Sequence, residues 1–247
     1  MLERGMRARQ ALVAVGGKAQ RLRSRGIDVP VSKSFLKING RPLLHWSLLA
    51  MHHAGIRRIV IVGNESLHLC EAEHVLARLG RTFSEITFYQ DPGLGVHGLP
   101  YQARAFLEDV FVFECGHSIM HPQHYRDLDA VKNSDNVIFS AFVPHPSNLR
   151  QPVRLEAGKI ELASRPAGQY AVAHPLLIDN NYVDNLAFLG FEISRIIDHY
   201  ARRGELGYVL SSMPPEFDVA QELEASTEVY RAYLSNSKLG VAADSLL

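Results

Sequence analysis

Residues 11–46 read ALVAVGGKAQRLRSRGIDVPVSKSFLKINGRPLLHW. Ala11–Val15 is an apolar run of strand length that empties into Gly16-Gly17. Lys18 and Arg21 follow at once, Lys33 stands further on, and apolar residues at helical spacing resume only after Pro42. A strand-to-helix connection in an α/β domain takes roughly 2–6 residues, and structureless loops beyond roughly 12–15 are usually functional. A connection from Gly16 to Arg41 with paired glycines and cations suits an anion. Glycine lets backbone N–H groups approach phosphate oxygens, while Lys18 and Arg21 add a mobile and a forked positive charge. Lys33 is placed to fold back over the same anion. On the loop alone a second reading stays open, a tight turn followed by solvated cations.

Outward from this stretch, apolar runs alternate with helical spacing. Pro42–Ala54 predicts a helix with Gly55 at its C-cap. Arg58–Gly63 (RIVIVG) lacks polar alternation, as a parallel strand buried on both faces should. A helix over Glu65–Leu79, a strand over Ile86–Tyr89, a helix over Gly98–Leu107 and a strand over Asp109–Cys115 follow. A helix from Pro122 to Val131 and a strand over Asn136–Val143 complete the series. This order predicts an α/β fold with a mostly parallel central sheet and helices on both faces. From Pro144 the pattern changes to short extended pieces, with a hairpin expected at Val153–Glu156 and Lys159–Leu162. Core strand character is expected again at Leu186–Phe191, then a helix over Ser194–Arg203, short strands at Tyr208–Leu210 and Glu216–Val219, and a last helix over Gln221–Leu234. The expected organisation is one domain over residues 1–247, elaborated on its substrate side between about 144 and 185, with a mobile tail over 235–247.

Composition narrows the function classes. Net formal charge is zero, so nothing electrostatic selects nucleic acid or an anionic membrane as partner. Of the basic residues only 6 are Lys against 20 Arg, which makes each lysine of the opening loop less ordinary. Cys70 and Cys115 are the only cysteines and form neither a disulfide framework nor a CxxC pair. The start of the chain carries no apolar run long enough for a signal peptide or a membrane span, so a cytoplasmic protein is expected. The 12 histidines show no HExxH spacing, which argues against a zinc hydrolase. The opening loop matches neither GxxxxGK[ST] nor GxGxxG, which excludes a P-loop and a dinucleotide fingerprint.

What it does resemble is the N-terminal signature of the sugar-phosphate nucleotidylyltransferases: GGxGTRL, then a Pro-Lys pair, then a segment like LLPVNGKPLL. Here the chain has GGKAQRL and then VSKSFLKINGRPLLHW. Gly16, Gly17, Arg21 and Leu22 match, Lys33 falls on the signature lysine, and Asn39-Gly40-Arg41-Pro42-Leu43 follows closely. Ala19-Gln20 replaces Gly-Thr, and Ser32 replaces the proline before the lysine. The resemblance implies a three-layer α/β/α, Rossmann-like nucleotide-diphospho-sugar transferase fold. It implies that Val15, Gly16, Gly17 and Lys18 hold the nucleotide, that Arg21 grips the departing phosphates, and that Lys33 neutralises the α-phosphate and the incoming phosphate.

Three later segments fit the same family. Gln90–Gly98 (QDPGLGVHG) lies where the family packs a glycine turn on the base. Gln90 would read a base edge and Gly95 would leave room for the ring, although a plain surface loop is the other reading. Ser164-Arg165-Pro166 stands where the family has Glu-Lys-Pro, so Arg165 would bind the acceptor phosphate, with a fork suited to it. The family binds Mg²⁺ (Mn²⁺ can serve) through two aspartates. Asp218 in FDVAQEL matches the second and could equally be a helix N-cap, while His117 in CGHS occupies the place of the first. Imidazole suits Zn, Ni or Cu better than Mg²⁺, and Glu114 should point to the opposite face of its strand. Asn180, Asn181, Asp184 and Asn185 form a polar cluster with no assigned role.

The expected activity is therefore transfer of a nucleoside monophosphate from an NTP to a sugar 1-phosphate or a related cyclitol or alcohol phosphate, with release of pyrophosphate. The partners are the NTP and the phosphorylated acceptor, with no nucleic acid or membrane, and a homo-oligomer is allowed. The alternative, motivated by His117, is a catalytically degenerate subunit that binds nucleotide or nucleotide sugar. A glycosyltransferase of related fold would need a DxD motif at a strand end, and none stands there.

Overall fold

The computed structural model describes residues 6–17, 19–29, 31–91, 93, 95–131, 137–142, 151–156, 159–164, 170–211 and 220–236. In chain order the first half holds β1 (Gln10–Ala14), α1 (Gln20–Arg23), β2 (Lys37–Ile38), β3 (Arg41–Pro42), α2 (Leu43–Ala54) and β4 (Arg58–Gly63). Then come α3 (Ser66–Leu79), β5 (Glu85–Gln90), α4 (Leu99–Gln102), β6 (Val110–Cys115) and α5 (Pro122–Val131). The second half holds β7 (Val137–Phe142), β8 (Pro152–Glu156), β9 (Lys159–Leu162), β10 (Tyr170–Asp179), α6 (Asn180–Leu186), α7 (Ile193–Arg203), β11 (Leu206–Leu210) and α8 (Ala220–Asn236).

One large mixed sheet runs β11-β7-β10-β6-β1-β4-β5, with the β8–β9 hairpin attached to β10. Strands β6, β1, β4 and β5 are mutually parallel, as are β11 and β7, while β10 is antiparallel to both β6 and β7. Side chains of a strand alternate between faces, and here the alternation sorts the core into two layers. Ala11, Val13, Ile59, Ile61 and Val112 pack with α2, α3, α5 and α8. Leu12, Val60, Val62, Phe111 and Phe113 pack on the other face with α4, α6 and α7. The three-layer α/β/α architecture follows directly. Helix α2 is apolar nearly all round because it is buried nearly all round. Leu43, Leu44, Leu48 and Met51 have no exposed surface, and burying each such side chain is worth about 1.5–3 kcal/mol.

Most expected elements stand within a residue or two of their sequence limits, and three features differ. The strand expected at Leu186–Phe191 is instead the end of α6 and the turn after it, and β10 at Tyr170–Asp179 supplies the core strand. The helix expected over Gly98–Leu107 is broken into the short α4 flanked by single 3-10 turns at Val96–Gly98 and Arg104–Phe106. Within the opening loop, β2 and β3 form a hairpin on Asn39-Gly40, both with positive φ (51° and 76°), the geometry of a two-residue Asn-Gly turn. The strand expected at Glu216–Val219 lies outside the described residues.

Candidate active site

A cleft of about 320 Å³ lies over the carboxyl ends of β1, β4, β5 and β6. Open α/β sheets bind ligands at that edge. Gly16 and Gly17 leave β1 there, and the turn they make is possible only without side chains. A Cβ on Gly16 would collide with Asn64 Oδ1 and stand 3.1 Å from both its Cγ and its backbone nitrogen. Gly17 has φ 107°, and its N–H donates to Asn64 Oδ1 at 3.2 Å. Asn64, at the end of β4, thus fixes the glycine turn from the neighbouring strand. The far end of the loop is tied back to the same place, because the buried Ser32 donates its hydroxyl to the Val15 carbonyl at 2.6 Å. Lys33 opens the next 3-10 turn and lines the cleft with the two glycines.

At the end of β6 the N–H of Gly116 donates to the Ala14 carbonyl at 2.8 Å, carrying the ladder one residue past the strand. A side chain at 116 would meet Leu44 Cδ1 at 2.8 Å and Val15 Cγ1 at 3.2 Å, so only glycine fits between β6 and α2. The chain then turns, the His117 N–H reaching the Cys115 carbonyl at 2.6 Å, and the mostly buried His117 lines the cleft. Glu114 faces the other layer. Its carboxylate accepts the Cys115 N–H at 2.8 Å and the Tyr125 hydroxyl at 3.1 Å, and all of it is buried. Burial, then the adjacent carboxylate, pushes the Tyr125 hydroxyl well above its ordinary range. Glu114 is not available to the cleft, as its strand parity requires.

A second cavity of about 240 Å³ adjoins the first and shares Val96 and Cys115 with it. It stands against β6, β7 and β10, where β10 departs from regular pairing. Ala173 pairs with Ser140 and Leu176 with Phe139, so His174 and Pro175 form a bulge between them. Bulges re-aim side chains next to sites, and here His174 lines the cavity. Its ring meets Phe113 edge-on at 4.6 Å and lies parallel to His97 at 6.2 Å. Behind the bulge the Ser140 hydroxyl donates to the Pro175 carbonyl at 2.7 Å, which leaves its oxygen to accept from His124 Nε2 at 2.7 Å. Burial holds the His124 pKa down at about 4, with Asp127 opposing it.

Of the residues expected at the site, Gly16, Gly17, Lys33, Gly95 and His117 come together around the one cleft. Val15 lies beneath it, fully buried, and contributes its backbone, the N–H bonded to the Val62 carbonyl at 2.8 Å. Arg21 is exposed on α1 and does not line the cleft. Gln90 is exposed at the end of β5, and its neighbour Asp91 lines the cleft instead, one carboxylate oxygen accepting the Gly93 N–H at 2.7 Å. Lys18, Arg165 and Asp218 lie outside the described residues. Asn64 and Asp91 were not singled out by sequence. The sign of Asn64 was there to read, an amide following the apolar β4 where a turn must form.

The model of the MobA-like NTP transferase domain matches residues 11–199, from β1 through most of α7. The chain belongs to that family. Among solved structures the transferase is similar to the inositol-1-phosphate CTP transferase from T. maritima. The TM-score is 0.70 and the identity 17%, over 90% of this chain and 96% of that one. It is also similar to a proposed glucose-1-phosphate thymidylyltransferase from Bacillus anthracis, solved with sucrose, at TM-score 0.73 and 18% identity over 94% and 98% of the chains. HddC from Yersinia pseudotuberculosis follows at TM-score 0.64 and 11% identity, over 90% and 99%. At such identities these likenesses speak for the fold. A search of curated proteins gives no significant match.

The resemblance implies Mg²⁺, and the transferase's own donors test that. Mg²⁺ prefers oxygen ligands in octahedral geometry. The end of β6 offers an imidazole, and among the described residues no three His, Cys, Asp or Glu side chains converge as a metal site. The described donors by themselves do not make an Mg²⁺ site.

Proposed function

We propose that the transferase moves a nucleoside monophosphate from an NTP to a sugar 1-phosphate or a related cyclitol or alcohol phosphate, releasing pyrophosphate. The observation that carries this reading is the pair of adjoining cavities with Cys115 and Val96 in their common wall. The larger, with the Gly16-Gly17 turn and Lys33, takes the nucleotide, and the smaller takes the acceptor. An oxygen of the acceptor phosphate attacks the α-phosphorus, a new P–O bond forms, and the bond to the bridging oxygen breaks as pyrophosphate leaves. Two phosphate charges about 4 Å apart repel by roughly 4 kcal/mol per charge pair near a protein surface. Catalysis of such a step is mostly positioning and charge compensation. Lys33 supplies the charge beside the glycine turn, and the Ser32 bond to Val15 supplies the positioning.

Within this reading Lys18 and Arg21 hold the β- and γ-phosphates, Arg165 the acceptor phosphate, and Gln90 and Gly95 the base end. Asp218 is the oxygen donor we assign to a divalent cation on the family resemblance, with His117 at the position of the family's other metal ligand. Residues 1–247 act as one catalytic unit in the cytoplasm, and no described helix is long and apolar enough to cross a membrane. The activities for which the similar inositol-1-phosphate and glucose-1-phosphate enzymes are named support a phosphorylated cyclitol or sugar as acceptor. The test is pyrophosphate release from each NTP with a panel of sugar and cyclitol phosphates and a divalent cation. Absence of turnover with every pair would sink the reading. One observation, the imidazole of His117 where a carboxylate is expected, favours a binding subunit instead. That alternative requires calorimetric nucleotide binding without turnover and a gain of activity in His117→Asp. Loss of a robust activity in that variant rejects it.

A further inference from the structure

The walls of the smaller cavity speak to what the acceptor is, given the transfer reaction proposed above, on which this step rests. Phe139, Val172, Leu176 and Ile193 line it, and none of its described lining residues is Asp, Glu, Lys or Arg. Its polar side chains are Gln151, His97 and His174. Gln151 donates its amide to the Pro152 carbonyl at 3.2 Å. His174 is held between Phe113 and His97, with Nδ1 3.4 Å from the Phe113 carbonyl. Apolar character continues at the neighbouring segments, where Tyr101 and Phe191 meet at 5.9 Å, two residues before Ile193. At about 240 Å³ the space is small, below the roughly 300–1,000 Å³ of drug-sized pockets.

A hydroxyl pressed against the apolar part of these walls loses its water partners and gains none from it. A fully hydroxylated hexose or cyclitol would leave several ring hydroxyls facing Val172, Leu176 and Ile193. We propose that the transferase selects a small phosphate monoester whose body is poor in hydroxyl groups, a deoxygenated sugar phosphate, over its fully hydroxylated counterpart. Ile193, half-buried at the start of α7, is the specificity-determining residue most open to substitution, because it borders the cavity without being locked in the core.

The experiment compares glucose 1-phosphate with its 6-deoxy and 3,6-dideoxy counterparts, reading kcat/KM by pyrophosphate release with the preferred NTP. Binding of the same three is measured by calorimetry on the whole chain with a non-hydrolysable NTP analogue present. The expected result is a rise of roughly tenfold or more per hydroxyl removed, within the roughly 10²-fold that apolar pockets exert against an added hydroxyl. Ile193→Asn should shrink that preference by about tenfold toward glucose 1-phosphate, since an amide gives one hydroxyl a partner. Equal or better use of glucose 1-phosphate by the native protein, or binding of none of the three, overturns the proposal. The two readings fail separately. Binding ranked by hydroxyl count without any pyrophosphate would support this acceptor class and reject the reaction. Turnover that favours glucose 1-phosphate would do the reverse.

Discussion

The larger cleft is walled by four neighbouring parallel strands, β5, β4, β1 and β6, whereas the smaller cavity stands on β6, β10 and β7, where β10 runs against both neighbours. Parallel strands all end on one edge, so the residues just past each end converge: Gly16 and Gly17 after β1, Asn64 after β4, Asp91 after β5 and His117 after β6. An antiparallel insertion has no such end there. Its contribution comes from mid-strand, through the bulge that presents His174. The first region is thus a set of short loop motifs, and the second depends on how one strand packs on its neighbours.

That difference is sharpest for Lys33, which belongs wholly to the loop motifs. Lys33→Ala should lower kcat/KM for pyrophosphate release by about 10²–10³-fold, the usual cost of removing one group that stabilises developing charge. The thermal midpoint should barely move, since Lys33 is only part-buried. A loss confined to KM would place the lysine in ground-state binding alone and break the assignment.

The packed region should fail differently, through acid. His124 has its pKa lowered from 6.5 to about 4 by burial. His45, on α2, is lowered to about 4 by burial, with Arg41 and Arg78 adding to it. Below pH 6.5 the unfolded chain binds protons that the folded chain refuses, so stability is full above that pH and falls as pH drops toward about 4. At pH 5 each histidine should cost about 2 kcal/mol, from roughly 1.4 kcal/mol per pH unit. His124→Asn keeps an amide donor for Ser140 and removes the titration. Urea unfolding across that window should then show a shallower acid limb. An unchanged limb would mean that the His124–Ser140–Pro175 chain does not carry the acid sensitivity of the β10 side.

The same contrast governs how much was legible in sequence. β1, β4 and β6 are buried on both faces and read as largely apolar runs, so where they end, at the glycine turn after β1 and at His117 after β6, could be read from the sequence. β10 could not, because Pro175 stands in its middle and proline argues against an interior strand. The bulge at His174-Pro175 frees that position from pairing, which the local pattern of YAVAHPLLID does not reveal. The strand was therefore expected at Leu186–Phe191, whose apolar residues are in fact the end of α6 and a turn. At β5 the residue that lines the cleft is Asp91, one place past the expected Gln90, for a simpler reason. Neighbours on a strand point to opposite sides, so Gln90 is exposed where Asp91 meets the cleft. Asn64 was passed over because its role, closing the turn of another strand, is tertiary.

The Asn64 contact is the next place to press on the loop region. Gly16→Ala puts a methyl group against Asn64, and crowding of that kind costs about 1–3 kcal/mol. Asn64→Ala removes the side-chain part of the obstacle, leaving the backbone nitrogen at 3.1 Å, along with the partner of the Gly17 N–H, a loss of about 1 kcal/mol. If the clash is the cause, the double variant should be more stable than the sum of the single changes predicts, by about 1 kcal/mol or more in a double-mutant cycle. Additivity would mean that the turn yields without Asn64 and that the two strand ends are not coupled.

Ala19 offers the finest comparison, because it asks how far the loop tolerates a residue ill-suited to its backbone. Its φ of 48° and ψ of 36° are left-handed, a conformation that costs an L-residue about 1 kcal/mol and glycine almost nothing. The nucleotidylyltransferase signature has glycine at this place, and the chain keeps the backbone turn while giving up the residue that makes it easy. Ala19 precedes α1 and accepts the Leu22 and Arg23 N–H groups at 3.0 and 3.1 Å, so the turn carries the helix on which Arg21 sits. Ala19→Gly relieves the strain and loosens the unfolded chain, and the first effect should win by roughly 0.5 kcal/mol, since alanine at positive φ usually costs more than the entropy it saves. For a chain of this size that is a rise of about 1–2 °C in Tm, readable by calorimetry, with KM for the NTP unchanged. A raised KM would mean that the strained turn itself aims α1, and that the substitution at 19 was set by ligand rather than tolerated by fold.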